Sequence, residues 1–208
     1  MTKFNLMAAA LFAVSAAFSA EIVSIKRQPG DRLDISMANE VTHSALAAQS
    51  WLMRRQNANG SWGDGTNCLY DTMVTLYALK AFRQPEAEKA IGRGEGYLAT
   101  LKLDYGFPAF PFGVNLKVDL EQTAKAWPLP GSTCAKDWWA LACSLNRARI
   151  GKAGAIAGKS IDWRKDIAKH LITSQKMTDK GDGYWASGKP DVSDIAETAF
   201  MLMVFFEL

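Results

Sequence analysis

The sequence predicts an all-α protein built from stacked helical hairpins. One motif recurs along the chain. It reads Trp51-Leu52, three residues, Gln56, three residues, Gly60, any residue, Trp62. A stretched copy near the C-terminus has Leu171, Gln175 and Gly183-Tyr184-Trp185, and a degraded copy between them has Tyr97-Leu98, Lys102 in place of the Gln, then Gly106-Phe107. Segments apolar on one helical face also alternate with segments apolar nearly all round, as outer and inner helices of hairpins would. No run of note carries the two-residue alternation of a sheet.

The elements follow in order. Lys3 and the apolar run from Leu6 to Phe18 have the layout of a secretory signal peptide, residues 1–20. The run is too short for a bilayer, which needs about 20 apolar residues. Cutting after Ala20 leaves Phe18 where a small residue is preferred, and cutting after Ser19 leaves Ala17 there. No Cys follows the run, which argues against a lipoprotein anchor. The mature protein is expected to be periplasmic or secreted. Residues 21–38 show no period and read as an extended leader. From Asn39, the residues Val41, Ala45, Ala48 and Leu52 mark one face of an outer helix ending near Gln56, with a turn at Asn59-Gly60. Cys68 to Phe82 is the buried inner helix of the first hairpin. Residues 86–102 and Ala135 to Arg149 supply the second outer and inner helices, and 161–176 and Asp194–Phe206 the third. An insertion at 104–133 holds four prolines and several aromatics. The run Gly151 to Gly158 reads as a flexible connector. The two Gly-Asp-Gly triplets, 63–65 and 181–183, read as turn chemistry at hairpin tips.

The recurring motif resembles the QW repeat of the terpenoid cyclases, the squalene cyclase group, and of their relatives the protein prenyltransferase β-subunits. The resemblance covers nearly everything after about residue 40. It implies an α/α toroid, here a partial one of about three helical hairpins in 39–208. In it, Gln56, Gly60, Trp62, Gln175, Gly183 and Trp185 would be structural, bonding helix-end backbone and stacking over the next hairpin. Closed toroids of this group have about six hairpins. Three would expose their apolar inner helices, to be covered by the insertion, a second copy forming a homodimer, or a partner protein. The last apolar helix runs to Leu208 without a cap, the pattern of a shortened toroid.

Aligning the inner helices superimposes Cys68-Leu-Tyr-Asp71-Thr, Cys134-Ala-Lys-Asp137-Trp and Asp194-Ile-Ala-Glu197-Thr without gaps. Asp71, Asp137 and Glu197 each fall in a first helical turn, where the helix dipole favours a carboxylate by roughly 0.3–1 kcal/mol. The other reading places them at the mouth of the concave face as acid/base groups, beside the ligand-stacking aromatics Tyr70, Trp138, Trp139 and Phe200. The catalytic acid of the resembled cyclases lies in an Asp-x-Asp-Asp motif. The nearest approach here, Asp119-Leu120-Glu121-Gln122, has Glu at the proton donor's place and Gln at the end. An Asp-Asp-x-x-Asp run is absent too, so cyclase activity is not carried over. The prenyltransferase relatives imply a zinc site. Cys68, Cys134 and Asp194 form a weak candidate set with no fourth ligand in view, and no cofactor is assigned. Three Cys in an exported chain also allow one disulfide, for which Cys68–Cys134 is the preferred pair. Cys143, in mid-helix, reads as buried and inert.

A formal charge of +3, with Lys and Arg scattered, gives no nucleic-acid or membrane-surface signal. The reading is therefore an exported binding or interaction module holding an unknown ligand or partner protein on its concave face. The alternative is a periplasmic lyase or hydrolase on glycans, or a prenyl-chain enzyme, working through the inner-helix carboxylates.

Overall fold

The computed structural model describes residues 33–101, 134–148 and 158–208, with 119, 121, 125, 127, 150, 155 and 156. The signal segment, the leader as far as 32 and most of the insertion lie outside the described residues. Among the described residues six α-helices carry the fold: α1 (Ile35–Arg54), α2 (Cys68–Ala81), α3 (Glu88–Thr100), α4 (Ala135–Arg147), α5 (Trp163–Ser174) and α6 (Asp194–Glu207). The all-α class is as the sequence predicts. The first helix begins four residues before the predicted Asn39, because Asp34 caps it and accepts from the Met37 amide at 2.9 Å.

Two short antiparallel ladders depart from the sheet-free expectation: β1 (Ala155–Ile156) with β2 (Lys159–Ser160), and β3 (Lys176–Met177) with β4 (Gly183–Tyr184). The second explains the stretched motif. In the first copy the Asn57 amide donates to the Ser61 carbonyl and the Gly60 amide to that of Asn57. The same pair of bonds recurs from Thr178 to Asp182 and from Gly181 to Thr178. Gly181 is thus the counterpart of Gly60, and both have positive φ. The extra residues are the two rungs of β3 and β4. Gly183, aligned with Gly60 by sequence, is bare for another reason: a side chain there would collide with the Gln175 amide.

Packing follows the helix patterns but not the order of the hairpins. The central element is α6, whose apolar surface meets α1, α2 and α4. Helix α5 packs on α1, and α3 packs on α2. Helix α5 lying on α1 brings the third hairpin beside the first. The motif glutamines show this step twice. Gln56, just past α1, donates to the Ala90 carbonyl of α3 at 2.8 Å and to Gly60 at 2.9 Å. Gln175, just past α5, donates to the Ser44 carbonyl of α1 at 2.9 Å and accepts from the Ser44 hydroxyl at 2.7 Å. Each glutamine ties its own outer helix to the next one.

The motif tryptophans close the same joints. The Trp62 indole donates to Leu52 at 2.6 Å and that of Trp185 to Leu171 at 3.0 Å, each taking a carbonyl in the last turn of an outer helix. Their backbone amides donate to the hydroxyls of Thr72 and Thr198, the residues following Asp71 and Glu197. Gly94 lets α3 lie directly over Trp62 and Leu76, which a side chain would strike. Tyr184 of β4 stacks on Trp51 of α1, with centroids 5.1 Å apart and planes at 9°.

The apolar inner helices, expected to need a cover, are buried. From Asp71 to Leu79 every residue of α2 except Tyr77 is buried, and from Ala196 to Phe205 every residue of α6 is buried. Trp139 lies between Tyr77 of α2 (6.0 Å) and Phe200 of α6 (5.6 Å), so the three inner helices bury their apolar faces against one another. No helix among the described residues is long and apolar enough to cross a membrane.

Replacing Gln56 with Ala removes two bonds to carbonyls on two elements. Urea unfolding is expected to show a loss of about 1–3 kcal/mol, against no more than about 0.5 kcal/mol for Lys89→Ala on the exposed face of α3.

Candidate functional site

The N-terminal ends of α2, α4 and α6 meet around a cavity of about 180 Å³. Asn67, Tyr70 and Asp71 come from α2 and its lead-in, and Cys134 and Lys136 from the start of α4. The last turn before α6 and its first two turns contribute Asp191, Val192, Ser193, Ala196, Glu197 and Phe200. Two of the three aligned acids therefore share one cavity.

Both acids hold a neighbouring helix. Ser193 is the N-cap of α6: its hydroxyl accepts from the Ala196 amide at 3.0 Å and donates to Asp71 Oδ1 at 2.7 Å. Glu197 Oε1 accepts from the Ala135 amide, the first of α4, at 2.9 Å. So the acid of α2 fastens the start of α6, and the acid of α6 fastens the start of α4. The helix-dipole reading of these acids acquires a definite form, with each carboxylate serving the next inner helix rather than its own.

Burial sets their chemistry. Asp71 is 1% exposed and its Oδ2 has no hydrogen-bond partner. Burial pushes its carboxyl above the usual range, the Ser193 hydroxyl pulls it back, and the charge of Asp64 adds to the rise. Burial raises Glu197 as well, against the Ala135 amide and Lys189, which lower it, while Asp137 and Asp194 push it up. Tyr70 is raised by burial and then by the charges of Asp71 and Cys134. Cys134 is raised by burial and by its bond to Asp137, so its thiol stays protonated and is a poor nucleophile. The cavity thus offers two carboxyls raised by burial, two aromatic walls and no activated nucleophile.

The remaining sequence-predicted residues divide between the cavity and other places. Asp137 is exposed and accepts from the Cys134 thiol at 3.0 Å, so the three acids do not converge as a catalytic set. Tyr70 and Phe200, expected as ligand-stacking aromatics, line the cavity. Trp138 and Trp139 are instead buried in the core, where Trp138 packs on His170 of α5 at 4.9 Å. The zinc candidates point to separate partners: Cys68 to the Tyr97 hydroxyl at 3.4 Å, Cys134 to Asp137, and Asp194 to the Ser187 amide at 3.1 Å. Among the described residues no three His, Cys, Asp or Glu side chains form a group able to hold a metal. All three cysteines are free, so the preferred Cys68–Cys134 disulfide is not formed. Cys143 is buried and its thiol raised, chiefly by burial, as an inert core residue would be. Asp119 and Glu121 of the nearest Asp-x-Asp-Asp approach are exposed, and Glu121 is paired with Lys125 at 2.7 Å.

Sequence reasoning missed Ser193, Lys136, Asn67 and Asp191. Ser193 alone carried a signal, as a Ser immediately before an apolar helical run. No family model, curated protein or solved structure matches the chain.

A carboxyl raised in the fold is stabilised in its protonated form, so its contribution is present below the unfolded pKa of about 3.9 and is lost as pH rises through the folded value. Asp71→Asn keeps the Oδ1 acceptor and removes the charge. It is expected to gain thermal stability relative to the parent as pH rises from 4 to 8. A constant difference across that range would contradict the raised carboxyl.

Proposed function

We propose that the chain is an exported binding module of three-hairpin α/α-toroid architecture, with its ligand seat at the N-terminal ends of the inner helices. The observation that carries this reading is that Asp71 and Glu197 line one cavity while each spends an oxygen on a helix start. A carboxyl that holds the fold together is fixed in place, which suits recognition. Turnover would require it to exchange its proton freely with a substrate. The packing also supports the architecture: α5 lies on α1 and α3 on α2, while α6 meets α1, α2 and α4.

The cavity is smaller than the roughly 300–1,000 Å³ of a drug-sized site. It suits one end or one side chain of a ligand whose remainder lies outside. A lyase or hydrolase is the second reading, favoured by two carboxyls that burial raises, the direction a general acid needs.

Amide-resolved NMR with a library of small polar fragments separates these readings. Shifts are expected at Tyr70, Ser193 and Ala196, and should disappear in Ala196→Leu, which fills the cavity. Shifts elsewhere, indifferent to that substitution, would remove the site. Turnover of any fragment that Glu197→Gln abolishes in a folded protein would replace the module with the enzyme.

A further inference from the structure

We infer that Asn59, at the tip of the first hairpin, is a site of spontaneous deamidation, and that the joint between α1 and α3 keeps it shut. None of the residues involved lines the cavity. Asn59-Gly60 is the one Asn-Gly pair in the sequence. A glycine after an asparagine leaves the backbone nitrogen uncrowded, free to attack the side-chain amide. In that step the Gly60 nitrogen bonds to Asn59 Cγ and the Cγ–Nδ2 bond breaks. Nδ2 leaves as ammonia, taking the proton of the Gly60 amide. Water then opens the cyclic imide, and aspartate or isoaspartate takes the place of Asn59. Asn59 is exposed, so water reaches the imide and ammonia escapes.

The closed fold holds the nucleophile elsewhere. The Gly60 amide donates to the Asn57 carbonyl at 3.0 Å. Gly60 is also fixed on its other sides: its Cα lies against the Arg93 carbonyl of α3, and its own carbonyl accepts from Gln56 at 2.9 Å. The same Gln56 amide donates to Ala90 of α3. Asn59 Oδ1 accepts from the Ser61 amide at 3.1 Å and the Ser61 hydroxyl at 2.8 Å. Two donors on that oxygen ready Cγ for attack, so the placing of the Gly60 nitrogen is what limits the reaction. Attack waits for local opening of the joint. The third copy lacks the site. Gly181 makes the same turn bond with positive φ, but Lys180 precedes it and has no amide to lose. Once formed, isoaspartate carries the backbone through the side-chain methylene, which takes the Gly60 carbonyl out of register with Gln56.

The test is peptide mass mapping of the full chain during incubation in mildly alkaline buffer, with and without urea. The unfolded chain should convert Asn59 at least about tenfold faster than the folded one. Gln56→Ala without urea should outpace the parent by about tenfold, the ratio that 1.4 kcal/mol of lost protection gives. Hydrogen exchange of the Gly60 amide in the parent reads the same opening, and should rise in step with conversion as urea is added below the unfolding range. Asn59→Lys, the residue of the third copy at this place, should leave the mass of the peptide unchanged. Equal rates in folded and unfolded chain, or conversion while the Gly60 amide stays protected, would overturn the gating. No conversion in the unfolded chain, or a mass change that persists in Asn59→Lys, would overturn the site itself.

Discussion

The structure depends on the tie between Ser44 and Gln175, residues 131 apart in sequence and joined by two hydrogen bonds. It sets the third hairpin against the first and so puts α6 where α1, α2 and α4 all reach it. A short array of hairpins left open would leave apolar inner helices facing water. Here they pack on one another, and Trp139 fills the space between Tyr77 and Phe200. The same joint is built between the first and second hairpins by Gln56, and in both cases a tryptophan indole satisfies a carbonyl in the helix end that the glutamine follows. A repeat unit cannot bury its own apolar face, so stability lies in these joints between units.

The aligned acids belong to the same construction. Burying Asp71 and Glu197 costs free energy, partly offset because each meets a helix N-terminus that lacks intrahelical partners. This places polar side chains at the one end of the inner helices where apolar packing stops. A cavity follows from the geometry, since three helix starts with short caps do not fill the space between them. The proposed ligand seat is thus a consequence of how the helices are fastened.

Much of this was legible in the sequence. Helix type and extent followed from the breadth of each apolar face, and the repeated Gln and Trp marked the joints. The alignment of inner helices placed Asp71 and Glu197 at equivalent positions, and both reached the cavity. Other features depended on contacts that local pattern does not encode. Trp138 and Trp139 look alike to Tyr70 beside an acid, yet α4 turns them into the core. The order of hairpins was hidden because the motif shows that a glutamine will bond to a neighbouring outer helix without saying which one. The four extra residues of the third copy read as a stretched loop, because a ladder of two rungs is too short to show an alternation. Cys68 and Cys134 hold equivalent positions, but Tyr97 and Asp137 occupy their thiols.

The most direct test of the arrangement is a double-mutant cycle between Ser44→Ala and Gln175→Ala, read by urea unfolding. The account predicts a coupling of about 0.5–3 kcal/mol, the range for residues in direct contact. Purely additive effects would mean that the third hairpin does not lie against the first, and the shared cavity at the inner-helix ends would go with it.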